Sequence, residues 1–376
     1  MKYVIVRCED LARAGEETVS LLAGAKTAHL QQLSQAGAAG LIRSDKRRRA
    51  VDRFQVHRGL LGVAPHDPQA SPGAWYAASA RVACGEGETA WCCELVTQHE
   101  GRIMDSTAGN IPTKESRELI QTLNSELGSE HRRWEVGDAS HHVFITRDRA
   151  LDVGGAFGPD SPELVVGRLW KRSLPKGPEG QALRPLIEQA SKLLEGHAIN
   201  RVRVDLGENP ANLVWLWGAA RSAQGTPPAN RTGRSRAIVS HSFPMRGLAA
   251  CLGLTWEAGP ATLKEESLQR LMKSLPSLIQ RHDLVYVHVQ VEQGDPVERL
   301  CTMERLDQLL LKPLTKMLSD GRLLVAIDDR HGAVPFVAIG PGLPQQPVAR
   351  LQAESFAESP LQFDDGSTLF AWFTVQ

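Results

Sequence analysis

The chain has 376 residues, 42% of them hydrophobic, with Lys+Arg and Asp+Glu balanced at 43 each. That length suits about two domains with a sizeable core. The balance excludes a global field that would draw in nucleic acid or an anionic membrane, and no apolar run approaches the roughly 20 residues that span a bilayer.

The start, MKYVIVRCEDLARAG, reads as a strand followed by Glu9 and Asp10, not as a signal peptide. Cys8, Cys84, Cys92, Cys93, Cys251 and Cys301 lack CxxC spacing and read as reduced, mostly buried thiols. The expectation is a soluble cytoplasmic protein. Tyr3 to Val6 is a strand a parallel sheet could bury. Thr27 then caps a helix, AHLQQLSQA, with Leu30 and Leu33 on one face, ended by Gly37. The basic run Lys46-Arg47-Arg48-Arg49 could grip phosphates, but no interleaved aromatic residues offer stacking on bases, so a solvated loop is favoured.

Val51 to Gly62 looks like a helix entering a turn, and His66 to Gly73 a punctuated linker. Ala90 to Thr97 and Arg102 to Met104 read as strands. Thr113 caps a polar helix with Leu119, Ile120 and Leu123 on one side, and Trp134 to Val136 and His142 to Ile145 are further strands. This order suggests a small α+β domain. A second linker lies at Ser173 to Pro178, then a helix from about Gln181 to Glu195. Trp215 and Trp217 alternate on an apolar strand and read as core. Ala237 to Ser240 and Leu284 to Val291 are strands, while Pro244 to Leu252, Leu263 to Gln280 and Leu306 to Leu318 are helices.

Leu323 to Ile327 is an unbroken apolar run ending in Asp328, Asp329 and His331, and Val334 to Ile339 follows. Ligands collect beyond the carboxyl ends of such strands in open α/β sheets. Carboxylate and imidazole are also ligands for Mn and Zn. The plain alternative is two surface acids and a loop histidine.

Several segments together resemble the archaeal-type 2,3-bisphosphoglycerate-independent phosphoglycerate mutases, a branch of the alkaline phosphatase superfamily. The most specific is Asn209 to Gly218, NPANLVWLWG. Tyr3 to Val6, Leu60-Leu61-Gly62, Gly101 to Ile111, Val285 to Val289 and Val334 to Gly342 add to it. The resemblance covers essentially the whole chain. It implies an α/β fold, an alkaline-phosphatase-like mixed sheet sandwiched by helices, with a smaller inserted α+β cap. The expected division is a core of 1–72 and 206–376, a cap of 73–205, and a ligand cleft between them.

The family's chemistry implies two divalent cations (Mn, Mg or Zn) that clamp a phosphoryl group and activate a serine. Glu9 stands where its first ligand aspartate belongs, and Arg53 where the nucleophilic serine belongs. No Ser or Thr lies between Asp45 and Ala70 to replace it. Past His288, only Glu292 and Asp295 fall where the family carries an Asp and a His. Asp328-Asp329 replaces an Asp-His pair, with His331 as a stand-in for a downstream histidine. Ala74 and Cys92 take the places of arginines, Asn110 that of a histidine, and His141-His142 that of an Arg-His pair. His142, Arg246 and the loop carrying Asn209 and Asn212 keep the substrate-binding character, with Asn110 beside them.

The reading is a scaffold whose nucleophile and two-metal site are lost: a catalytically inactive protein that binds a phosphorylated small molecule or a protein partner. No cofactor is expected, although Glu9, Asp328, Asp329 and His331 leave room for one cation. The alternative is a divalent-metal-dependent phosphoglycerate mutase, or a phosphohydrolase using water, with a rewired site. No membrane or nucleic-acid partner is expected.

Overall fold

A computed structural model describes residues 1–9, 11, 22–43, 53–63, 71–151, 159–221, 234–291, 295–327 and 333–375. In chain order the strands are β1 (Tyr3–Glu9), β2 (Ala38–Arg43), β3 (Thr89–His99), β4 (Arg102–Asp105), β5 (Arg132–Asp138), β6 (His141–Thr146) and β7 (Leu213–Arg221). They continue with β8 (Arg236–Ser240), β9 (Thr255–Ala258), β10 (Leu284–Gln290), β11 (Arg322–Ile327), β12 (Ala333–Ile339) and β13 (Gln362–Phe363). Two compact units divide them. The first comprises residues 1–67, 230–241 and 254–376, the second 68–229 and 242–253.

The first unit is built on an eight-stranded mixed sheet in the order β13-β2-β12-β11-β1-β10-β8-β9. β1 lies at its middle, parallel to β10 on one side and β11 on the other. β10 in turn runs parallel to β8. Side chains alternate along a strand, so β1 has two different faces. Val4, Val6 and Cys8 join Val285, Val287, Val289, Leu323 and Val325 in an apolar core. Ile5, Arg7 and Glu9 point the other way, and polarity increases toward the carboxyl end.

Helix Ala28–Ala36 is held from outside its own segment. Its N-cap, Thr27, makes no side-chain capping bond. The buried carboxylate of Asp307 instead accepts from His29 N–H at 3.0 Å and Leu30 N–H at 2.7 Å. Asp307 begins a π-helical turn, Asp307–Leu311. Such a turn inserts an extra residue into a helical run. The expected helix Leu306–Leu318 thus belongs to a longer rod that starts at Pro296, where Asp295 forms a capping box with Glu298.

The second unit carries a five-stranded antiparallel sheet, β4-β3-β6-β5 with β7 on β3. Trp215 and Trp217 are buried in it. The expected division at residues 72 and 206 differs from the two units in where β7 and helix Phe243–Leu252 fall. β7 is hydrogen-bonded along β3, with Cys93 opposite Leu216. Helix Phe243–Leu252 approaches helix Pro72–Ala80 so closely that a Cβ on Gly247 would collide with the Trp75 carbonyl oxygen. The linker expected at 66–73 ends inside that helix, because Pro72 occupies its first turn, where a missing N–H costs nothing. No helix among the described residues is long and apolar enough to cross a membrane.

Replacing Asp307 with Ala strands two amide donors at the start of helix Ala28–Ala36. The expected cost is about 2–3 kcal/mol in urea unfolding, with Asp307→Asn costing less because one acceptor remains. A loss near zero for Asp307→Ala contradicts this account of the helix.

Candidate functional site

At the carboxyl ends of β1, β10 and β8, the polar face of the first unit's sheet gathers a buried cluster. Register explains it. Arg7 lies opposite His288, and Glu9 opposite Gln290. Val287 pairs with Val239, which puts Ser240 beside His288. Tyr286 is two residues before His288, on the same face. Helix Arg53–Leu60 supplies His57. The position of that helix is fixed by a close crossing, since a Cβ on Gly59 would meet Gly366 Cα and Ser367 N at 2.7 and 2.6 Å. Ser367 opens helix Gly366–Thr374 under the Asp365 cap.

The Glu9 carboxylate sits between two imidazoles. Its Oε2 meets Nε2 of His288 at 3.0 Å in a hydrogen bond, and its Oε1 lies 2.8 Å from Nε2 of His57. The second contact lacks hydrogen-bond direction, and the Arg7 guanidinium, 3.7 Å away, is an ion-pair neighbour beyond hydrogen-bond distance. Each ring is anchored at its other nitrogen: His57 Nδ1 to the Tyr286 hydroxyl at 2.7 Å, His288 Nδ1 to the Ser240 hydroxyl at 2.8 Å. The rings stand edge to face, centroids 4.9 Å apart. Arg7, Glu9, His57 and His288 are at most 3% exposed.

Burial sets the charge states. It would raise Glu9, but the two imidazoles beside it outweigh that and hold the carboxyl well below its usual range. Burial drives His57 down to about 4, so the ring is neutral at pH 7, and pushes the Cys8 thiol up to about 12. The site is therefore a carboxylate anion beside the neutral His57 imidazole and the His288 ring, with a guanidinium near by. Among the described residues, Glu9, His57 and His288 are the one group of three or more His, Cys, Asp or Glu side chains whose donor atoms converge, all within 4.8 Å. That donor set fits one ion, not a pair.

Of the residues singled out from sequence, Glu9 is at this site. Arg53 opens helix Arg53–Leu60, one turn before His57. Asp10, Glu292, Asp328, Asp329, His331 and the Lys46–Arg49 run lie outside the described residues. Asp295 caps a helix, accepting from Glu298 N–H at 2.9 Å. His57, His288, Tyr286 and Ser240 were not anticipated as site residues. The available signal was a lone histidine in each of two buried segments, and one histidine by itself is more often a satisfied core residue.

The substrate-binding candidates fall in the second unit and do not form one cluster. His142 is wholly buried on β6, where Nδ1 accepts from Gly137 N–H at 3.0 Å and burial lowers it to about 3. Arg246 donates to the Ser79 carbonyl at 2.9 Å with its guanidinium 5.5 Å over the Phe243 ring. Asn212 clamps β3, accepting from Gln98 N–H and donating to Gln98 O. Asn209 donates to Asp105 at 2.8 Å, and that carboxylate also holds the turn carrying exposed Asn110 through Gly109 N–H. Elsewhere in this unit the buried Glu94 accepts from the Tyr76 hydroxyl and contacts His141 Nδ1 at 2.7 Å.

Comparisons with known proteins agree on the relationship. A family model described as 2,3-bisphosphoglycerate-independent phosphoglycerate mutase matches residues 35–200. The enzyme of that description from Methanosarcina barkeri is 27% identical over 328 residues, 84% of this chain and 81% of the relative. A probable one from Geobacter sulfurreducens is 24% identical over 331 residues, again 84% and 81%. Among solved structures, a cofactor-independent phosphoglycerate mutase from Thermoplasma acidophilum aligns over 99% of this chain and 98% of its own, with a TM-score of 0.57 at 20% identity. A Pyrococcus horikoshii protein covers 99% and 96%, with a TM-score of 0.68 at 16% identity. The fold is thus the mixed α/β, alkaline-phosphatase-like one. Along most of its length the chain is similar to the 2,3-bisphosphoglycerate-independent phosphoglycerate mutases.

His57 and His142 carry a testable consequence for acid stability. Unfolding restores both rings to about 6.5, from about 4 and about 3 in the fold. The unfolded chain then binds more protons, so stability is complete above pH 6.5 and falls as pH drops toward 4. Glu88, held at about 2 by its hydrogen bonds with Arg133, contributes only below about 4.5. The melting temperature should therefore start to fall near pH 6.5. A flat profile down to pH 4.5 would contradict the neutral, buried histidines.

Proposed function

We propose that this chain keeps the phosphoglycerate-mutase scaffold without its phosphoryl transfer, and acts by binding a phosphorylated small molecule or a protein partner. The observation that carries the reading is the residue opening helix Arg53–Leu60. The resemblance puts the attacking serine there, and an arginine takes its place, with no Ser or Thr from Asp45 to Ala70. A phosphoenzyme needs a hydroxyl oxygen that can form a P–O bond, and a guanidinium supplies none. Paired cations need several anionic oxygens between them. The described cluster offers one carboxylate, with the Arg7 guanidinium 3.7 Å from it.

A second reading, a phosphohydrolase with a rewired site, is favoured by the same cluster. Glu9, His57 and His288 would hold one ion, which supplies Lewis-acid polarisation of a phosphoryl oxygen or a bound water. Assay of the purified full chain separates the two readings. With 2- or 3-phosphoglycerate and added Mn²⁺, Mg²⁺ or Zn²⁺ we expect neither mutase turnover nor phosphate release. Phosphorylated metabolites should instead raise the melting temperature. Sustained interconversion of the two phosphoglycerates refutes the proposal, and steady phosphate release moves the assignment to a hydrolase.

A further inference from the structure

The Glu9 cluster has two features that a simple hydrogen-bonded core does not require. The first is an unsatisfied acceptor. Glu9 Oε1 is buried and accepts no well-directed hydrogen bond, although His57 Nε2 is 2.8 Å away. Leaving a buried charged oxygen so placed is costly, and a cation seated against both atoms removes the cost.

The second is the way both rings are held. His57 and His288 each turn Nε2 inward and fix Nδ1 on a hydroxyl, that of Tyr286 at 2.7 Å and that of Ser240 at 2.8 Å. Metal-ligating histidines are characteristically oriented through the nitrogen that does not bind the metal. A hydroxyl suits this role because it both donates and accepts. It donates to Nδ1 while Nε2 carries the proton, and accepts from Nδ1–H once the Nε2 lone pair is given to a metal. The same heavy-atom frame serves the empty and the loaded site.

The donors also select the ion. Two imidazoles and one carboxylate suit Zn²⁺ or Co²⁺, whereas Mg²⁺ calls for an oxygen cage. The Arg7 guanidinium, 3.7 Å from Oε1, further disfavours an ion held chiefly by charge.

We propose that Glu9, His57 and His288 form a site for a single zinc-like dication, with Tyr286 and Ser240 as positioning residues. This deepens the second reading above, which puts one ion on the same three residues, and its test stands apart from that reading because metal content is measured separately from turnover.

The test uses the purified full chain, stripped with a chelator and dialysed against Zn²⁺, Co²⁺ or Mg²⁺. Metal content is read by mass spectrometry and the cobalt form by its visible absorption. We expect one zinc or cobalt per chain, no retained magnesium, and a visible cobalt band lost in His57→Ala and His288→Ala. Tyr286→Phe and Ser240→Ala keep all three donors and should weaken zinc binding about 10–100-fold. They also carry the test if circular dichroism shows the histidine variants unfolded. Substoichiometric zinc with a colourless cobalt sample of folded protein overturns the proposal. So does a cobalt band unchanged in folded His57→Ala and His288→Ala, or zinc affinity unchanged in both hydroxyl variants.

Discussion

A buried carboxylate held between two buried imidazoles is the constraint on which the first unit's polar cluster depends. Glu9, His57 and His288 come from the first strand, a helix some fifty residues on, and a strand near residue 288. They meet only because β1 and β10 are parallel neighbours in fixed register and because Gly59 lets helix Arg53–Leu60 cross close to Gly366. The cluster is sensitive to the fold for the same reason. A one-residue slip of β1 would turn Glu9 into the apolar core and Cys8 into the site.

The proposed loss of phosphoryl transfer rests on the same part of the fold. Phosphoryl transfer through a serine needs a hydroxyl at a helix start and enough anionic oxygen to hold two ions against a phosphate. Where the resemblance puts the hydroxyl the sequence has Arg53, and the described cluster is a mixed imidazole and carboxylate set. Glutamate reaches one carbon further than the aspartate the resemblance implies, and here that reach brings both carboxylate oxygens within 3.0 Å of a ring nitrogen.

Much of the architecture was legible in the sequence. Apolar runs marked β1, β10, β11 and β12, and the NPAN-to-WLWG stretch marked the family. Pro72 and Gly73 were misread as linker because composition does not distinguish a proline that ends a segment from one that starts a helix. Only Gly73 fits there, since a Cβ would collide with the Ala90 carbonyl oxygen, a contact invisible along the chain. The site was half legible. Glu9 stood out by its position after a strand, whereas His57 and His288 are isolated histidines whose meaning lies in register and helix crossing. Asp328, Asp329 and His331 stand out more along the chain, because adjacent acids after an apolar run signal more strongly than residues brought together across 279 positions.

Anomalous diffraction at the zinc edge, from crystals of the full chain grown with Zn²⁺, examines the central claim most directly. The account predicts a single peak within bonding reach of the Glu9 carboxylate and both Nε2 atoms, with no serine or threonine hydroxyl against it. Two peaks sharing such a hydroxyl, or an empty cluster in a zinc-saturated crystal, would contradict it.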